Sequence, residues 1–299
     1  MPEQAIGIDM GATHIKAVVI NTAGEILHQE QTHTRDQDGA WKEAVAEALQ
    51  ALQKKMVQPA KSIGLSAPGL ANAKNDRIGI MPGRLEGLED FDWSNFLGVK
   101  TWVLNDAHAA TLAESKFGAG KGKQHVLLLT LGSGVGGGLV MNGQLHQGLL
   151  QRAGHMGHTT TNANAHALDV TGMAGSLEDA IGNLTVSRRS YGKYQTTAEL
   201  VEAYKQGEPI ATQVWLDSVK NLAAALSSFI NIISPELVIL GGGIARAGKS
   251  LFEPLHAFMS VFEWRAGGLT IPIVPAAFGE FAGAIGAASF AAQKEETIN

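Results

Sequence analysis

Short apolar runs alternate along this chain with glycine-rich or polar breaks, the pattern of an α/β protein. Ile6 to Asp9 reads as a buried strand, Gly11 to Thr13 as a turn, and Ile15 to Ile20 as a second strand. Asn21 to Gly24 is turn chemistry leading into a third strand over Glu25 to Gln31. Trp41, Val45, Ala48, Leu49, Leu52 and Met56 then recur at spacings of three and four, the apolar stripe of an amphipathic helix. Ser62 to Ser66 is a further strand, running into the turn Ala67-Pro68-Gly69. Residues 71–95, rich in Gly, Asp and Asn, read as loop, and Thr101 to Leu104 as a strand that ends on Asn105-Asp106, ahead of a helix over Ala107 to Glu114.

The pattern restarts near residue 125. Val126 to Thr130 reads as strand, Gly132 to Gly138 as a glycine turn, and Leu139 to Met141 as a returning strand. Gly132 repeats the place of Gly11, and Asn142 that of Asn21, which predicts a duplicated strand–glycine-turn–strand unit. A long helix over Ile210 to Ile233 follows, broken by Pro235, then the strand Leu237 to Leu240 feeding Gly241-Gly242-Gly243. The last helix, Ala282 to Ala292, carries Gly283, Ala284, Gly286, Ala287 and Ala288, so its backbone can approach a neighbour closely.

Composition narrows the function. A chain of 299 residues exceeds the usual single core, so two lobes are expected. The net charge of −5 and the lack of any Lys/Arg cluster argue against nucleic acid as a partner. With no cysteine, disulfides, thiolate metal sites and Cys nucleophiles are excluded. No apolar run is long enough to span a membrane or shaped like a signal peptide, and a cytoplasmic protein is expected.

The 36 glycines cluster after apolar runs, where backbone N–H groups can face phosphate oxygens. Asp9-Met10-Gly11-Ala12-Thr13 puts a carboxylate at a strand end beside such a turn, suited to hydrated Mg²⁺ and phosphate, or to a plain hairpin. Gly132-Ser133-Gly134-Val135-Gly136-Gly137-Gly138 holds more glycine than hairpin geometry needs and reads as a phosphate cradle. It is not a dinucleotide motif, because strand rather than helix follows. Gly241-Gly242-Gly243 can accept adenine or ribose, or simply lead into a helix. Asn105-Asp106 can orient and deprotonate a hydroxyl, and can equally cap the helix that follows. His155, His158 and Glu178 can line a polyol pocket; with His166 and Asp169 the histidines also admit a zinc reading, which the absence of Cys disfavours.

In this order the motifs resemble those of the ROK family of sugar kinases and sugar-responsive repressors, within the actin-like ATPase superfamily. Asp9 to Thr13 and Leu131 to Gly138 look like its two phosphate motifs, Val238 to Gly243 like its adenosine motif, Asn105-Asp106 like its catalytic pair, and Gly283 to Ala288 like its closing helix. The resemblance implies a two-lobed actin-like (ribonuclease H-like) α/β fold with a ligand cleft between the lobes. The small lobe, for sugar and phosphate, is expected over residues 1–107 plus 281–299, and the large lobe, for nucleotide, over 108–280. It implies an ATP- and Mg²⁺-dependent hexokinase or glucokinase, most simply acting on the 6-hydroxyl of glucose. Asp106 would be the general base, and Asn105, His155, His158, Glu178 and Gly69 would contact the sugar. Asp9, Gly11, Thr13, Lys16, Gly132, Ser133, Gly134, Gly241, Gly242 and Gly243 would hold the nucleotide, with Asp9 on Mg²⁺ through water. A homodimer is the family expectation.

Two departures stand out. The family's Glu-x-Gly-His begins here with His155, replacing a carboxylate by a ring with one acceptor at most, which opens N-acetylhexosamines or other hexoses as substrates. The family's zinc cysteines are replaced by Asp169, Thr171 and Ser176, so a zinc-free version held by packing and hydrogen bonds is expected. A repressor is disfavoured because five residues precede the first predicted strand, leaving no room for a DNA-binding segment. A non-catalytic sugar sensor is disfavoured by the retained Asp9, Asp106 and glycine turns, and a non-sugar ATPase by the Asn-Asp and Gly-x-x-Gly-His combination.

Overall fold

Two faces of the N-terminal strands are buried in two different cores, as the period-2 alternation requires. The computed structural model describes residues 4–298 apart from 12, 37–38, 57, 82–84 and 170; Ala12 of the first glycine turn lies outside the described residues. Strands β1 (Ala5–Met10), β2 (His14–Ile20) and β3 (Ile26–His33) are followed by helix α1 (Trp41–Gln53). Ile6, Ile8 and Met10 of β1 and Ile15, Ala17 and Val19 of β2 pack against Trp41, Val45, Leu49 and Leu52 of α1. The alternate residues Ala5, Val18 and Ile20 belong to a separate cluster, completed by the final helix.

Next come β4 (Ser62–Ala67), the short β5 (Leu70–Ala71) and β6 (Ile78–Ile80), helix α2 (Trp93–Leu97), β7 (Lys100–Asn105) and helix α3 (Asp106–Lys116). Residues 71–95 are thus not wholly loop. Asp92 caps α2 by accepting from the Asn95 N–H, and Trp93 is buried against Trp41 and Phe91, ring centroids 5.4 and 4.9 Å away. The polar composition of the segment hid that aromatic anchor.

The remaining strands are β8 (Val126–Leu131), β9 (Val135–Met141), β10 (Gln144–His146), β11 (Leu237–Gly241) and β12 (Ile273–Pro275). The helices are α4 (Leu177–Ile181), α5 (Val186–Arg189), α6 (Thr197–Lys205), α7 (Pro209–Ile233), α8 (Lys249–Phe262) and α9 (Ala282–Ile298). The second glycine turn is shorter than expected, since β9 begins at Val135 and takes in three glycines. At Gly138 the reason is tertiary: a Cβ there would stand 2.3 Å from the Thr111 hydroxyl.

One five-stranded sheet runs β3-β2-β1-β4-β7 and the other β10-β9-β8-β11-β12. The order is the same with each strand replaced by its counterpart, in agreement with the repeat expected from Gly11 and Gly132. The chain forms two compact units: Met1–Gln124 with Gly138–Gly154 and Ala276–Asn299, and His125–Gly137 with His155–Pro275. The first takes in α3 and residues 138–154, beyond the 1–107 and 281–299 expected, because α3 packs along α9. A Cβ at Gly286 of α9 would lie 1.7 Å from the Ala109 carbonyl oxygen of α3.

The same helix lies on the sheet at backbone contact. Gly7 of β1 and Gly64 of β4 face it, and a Cβ at either would fall 1.9 or 1.8 Å from the carbonyl oxygens of Ala284 and Ala287. In the second unit α7 begins with Pro209 behind its cap Glu208 and buries Val214, Trp215, Val219, Leu222 and Leu226. The Trp215 ring N–H donates to the Ser250 carbonyl of α8 (2.8 Å).

Candidate active site

Strands β1, β4 and β7 run parallel, with Asp9 paired to Ser66 and Ala67 to Asn105. Their C-terminal ends therefore gather Asp9, Ser66, Gly69, Asn105 and Asp106 at the edge where ligands of α/β sheets collect. Burial raises the Asp9 carboxyl to about 6; the hydroxyl of the fully buried Ser66, which donates to Oδ1, pulls it down, Asp106 nearby pushes it up, and Lys16 pulls it down. Asp9 also stands on the N-terminus of α9, since a Cβ on Gly283 would sit 2.6 Å from its carboxyl carbon. Free N–H groups and the helix dipole favour negative charge there.

Asn105 caps α3. Its Oδ1 accepts from the N–H groups of Ala107 (3.0 Å) and His108 (3.2 Å), and its Nδ2 donates to Gly69 O (2.9 Å) and Asp106 Oδ1 (2.9 Å). Asn105 is 4% exposed and its amide is engaged on both sides. These bonds orient Asp106 and pin Gly69. Asp106 is exposed, the first residue of α3, and its Oδ1 also accepts from the Ala107 N–H (2.8 Å). Gly69 needs its glycine, with φ of +95° and the Ile80 carbonyl 2.5 Å from where a Cβ would lie.

Lys16 is held in an ion pair with Glu280 (2.9 Å), just ahead of α9. Gly11 closes the first turn by donating to His14 O (3.1 Å), and the Thr13 hydroxyl lies 3.2 Å from the His14 ring. Ser66, Glu280 and Gly283 were not foreseen as parts of this site. Only the small-residue run of the last helix hinted at a close approach.

In the second unit the turn Gly132–Gly134 is fixed from outside. The Asn183 and Leu184 N–H groups donate to the carbonyls of Gly132 (2.9 Å) and Ser133 (3.1 Å), and Glu178 Oε2 accepts from the Val135 N–H (2.8 Å). Gly134 has no room for a side chain, because a Cβ would lie 2.0 Å from Glu178 Oε2. Gly132, Ser133 and Gly243 open on a cavity of about 540 Å³, whose walls include Asn183, Thr197 and Arg246. Gly242 turns the chain at φ +86°, where a Cβ would meet the Leu131 carbonyl at 2.3 Å. Gly241 is instead the last residue of β11, paired with Thr130. Thr197, 6% exposed, keeps its hydroxyl buried without a hydrogen-bond partner among the described residues. No motif pointed to Asn183, Thr197 or Arg246; residues far apart in sequence make the cavity.

The rings of His155 and His158 lie nearly parallel, centroids 6.2 Å apart with 7° between planes. His158 Nδ1 is buried and makes no hydrogen bond among the described residues. Among those residues no group of three His, Asp or Glu side chains is placed to hold a metal ion, and no helix is long and apolar enough to cross a membrane.

The chain resembles known proteins over nearly its whole length. The chain is 32% identical to a glucokinase of Thermotoga maritima, covering 97% of this chain and 98% of that protein. Its fold matches a ROK hexokinase from Thermus thermophilus with a TM-score of 0.87 at 28% identity, over 98% of this chain and 99% of the other. It also matches a ROK family glucokinase from Streptomyces griseus, solved with glucose and AMPPNP, with a TM-score of 0.79 at 26% identity over 97% and 99% of the two chains. The ROK family model matches residues 5–294. With two sheets of one strand order, an acid pair at the strand ends and a braced glycine turn all in place, the chain belongs to the ROK family.

Proposed function

We propose that this protein is an ATP-dependent sugar kinase that transfers the γ-phosphoryl group of ATP to a hexose hydroxyl, the 6-hydroxyl of glucose being the first candidate. The observation that carries the reading is the Asp106 carboxylate, exposed at the strand edge and oriented by Asn105, beside the half-buried Asp9. Asp106 takes the proton of the sugar hydroxyl as its oxygen bonds to the γ-phosphorus, while the bond to the β-phosphate bridging oxygen breaks and ADP leaves. Positioning and charge neutralisation carry such a transfer more than covalent chemistry does.

Asp9 fits a hydrated Mg²⁺: it is an acid whose charge is disfavoured by burial and by a neighbouring acid, a conflict that a cation relieves. The metal, when bound, would neutralise charge on the phosphates. The braced turn at Gly132–Gly134 offers backbone to the phosphates, and the cavity beside it suits the nucleoside in volume and lining.

His155 favours a second substrate class. A carboxylate accepts hydrogen bonds from two sugar hydroxyls, whereas a neutral imidazole accepts one and donates one, which suits the carbonyl of an N-acetylhexosamine. ADP release from Mg-ATP across hexoses and N-acetylhexosamines tests both. Strong stimulation by one sugar supports the kinase and names the substrate. A flat response, with sugar binding retained, would overturn the kinase in favour of a sensor.

A further inference from the structure

Helix α4 is one turn long, yet it touches the second glycine turn at both ends. At its start Glu178 Oε2 accepts from the Val135 N–H (2.8 Å) and fills the space that a side chain at Gly134 would need. At its end Gly182 donates to the Glu178 carbonyl (2.8 Å), and the next two N–H groups, of Asn183 and Leu184, hold the carbonyls of Gly132 and Ser133. The turn therefore takes its position from α4. A five-residue helix cannot hold itself in place, so something outside must set it.

At its far end Arg188 pairs with Asp179 and the Arg189 guanidinium donates to Gly182 O (3.0 Å); at its start the anchor is Asp169. Its carboxylate, 8% exposed, collects four hydrogen bonds: Oδ1 from the Thr171 N–H (2.8 Å), the Thr171 hydroxyl (2.7 Å) and the Met173 N–H (3.0 Å), and Oδ2 from the Ser176 hydroxyl. Ser176, fully buried, is the N-cap of α4, and its Oγ accepts from the Asp179 N–H (3.1 Å). Burial alone would raise the Asp169 carboxyl, but the bonds from Ser176 and Thr171 outweigh it and hold the group below the ordinary range, as a carboxylate. The loop it gathers also pairs with the segment after His158: the Leu177 N–H donates to Thr159 O (2.8 Å), and the Thr161 N–H to Gly175 O (2.8 Å).

We propose that Asp169 is a positioning residue of the transfer reaction, setting the glycine turn and the Glu178 carboxylate through Ser176 and α4. It touches neither substrate nor phosphate. The proposal rests on the kinase reading for its effect on turnover, whereas its structural half stands apart from that reading. Misplacing reacting groups by about 1 Å can slow an enzyme by roughly a hundredfold.

The test uses the full chain with three substitutions, Asp169→Ala, Asp169→Asn and Ser176→Ala, read by steady-state kinetics and by amide hydrogen exchange. Asp169→Ala should lower kcat by about tenfold to a hundredfold, more than it raises either KM, and speed exchange across Gly132–Gly137. Asp169→Asn keeps the three bonds on Oδ1, and its Nδ2 can donate to the Ser176 Oγ in place of the bond that Oδ2 accepts, so it should recover much of the loss, while Ser176→Ala, which removes that link, should resemble Asp169→Ala. A merely structural loop predicts otherwise: faster exchange over 169–176 and a lower unfolding temperature, with kcat per folded molecule and exchange at Gly132–Gly137 unchanged. That result would overturn the proposal. If Asp169→Ala does not fold, Ser176→Ala and Asp169→Asn carry the same comparison. If the wild-type chain phosphorylates no sugar, the kinase reading fails, and exchange at the turn still decides whether Asp169 sets it.

Discussion

Replacing Asp9 by Asn should change how stability depends on pH, in a direction that the geometry fixes. Asp9 is held at about 6 against an ordinary 3.8, burial being the largest cause. The folded protein thus binds a proton that the unfolded chain releases across this window. Because the folded value is the higher, the stabilising effect of that proton is complete below pH 3.8 and is lost as pH rises through about 6. Two pH units at 1.36 kcal/mol each amount to about 3 kcal/mol of stability lost by neutrality. Asp9→Asn has no proton to lose and should lack this slope, although it should not turn over. Urea unfolding at a series of pH values, in EDTA to exclude divalent cations, measures both curves. Subtracting the variant from the wild type cancels the titration of other groups and should leave a fall of about 3 kcal/mol between pH 4 and 7. Parallel curves would show that Asp9 pays no burial penalty and would refute the reasoning. Added Mg²⁺ should restore wild-type stability above pH 6 and leave Asp9→Asn unmoved, if the ion is held through Asp9.

Other substitutions and analyses probe the rest of the architecture. Asp106→Asn should lower kcat by about a hundredfold or more while sugar binding, measured by calorimetry, stays largely intact; near-normal turnover would remove Asp106 as the base. Gly286→Ala should cost at least about 1–3 kcal/mol by forcing α9 off α3, since the added methyl meets a backbone carbonyl that cannot move alone; unchanged thermal unfolding would contradict that packing. Elemental analysis of the purified protein should find no zinc, and one equivalent per chain would show that the segment around Asp169 is organised by metal after all.

Much of the chemistry at the strand ends was legible in the sequence because it is local. A run such as Ile6-Gly7-Ile8-Asp9 declares a buried strand and the polar residue at its end, and Asn105-Asp106 declares a cap and a carboxylate together. The repeat of Gly11 and Gly132 pointed to a duplicated strand–glycine-turn–strand unit, and the structure extends that likeness to two sheets of one strand order. The segment 71–95 reads as loop because its composition speaks for turns, while a few scattered buried residues, Ile78, Leu85, Leu88 and Trp93, decide for structure.

What the sequence determined by itself was the strands that lead into the glycine turns and the Asn105-Asp106 pair, the places of those turns and the identities of the acids, all consequences of local backbone preference and burial; the short strands β5, β6, β10 and β12 carry too little pattern to be read that way. Tertiary structure alone decided what each glycine and polar group was for. Gly7 and Gly64 look like ordinary strand residues until α9 lies across them, and Ser66 looks like a strand end until its pairing sets it against Asp9. Asn105 reads from the sequence as a cap or a ligand-binding amide, and its four hydrogen bonds make it also a bracket for Asp106. Asp169 could be read as a metal ligand, and its neighbours' donors made it the anchor of α4. In each case a hydrogen bond or a collision decides, and it depends on separations of a few tenths of an ångström that no local pattern records.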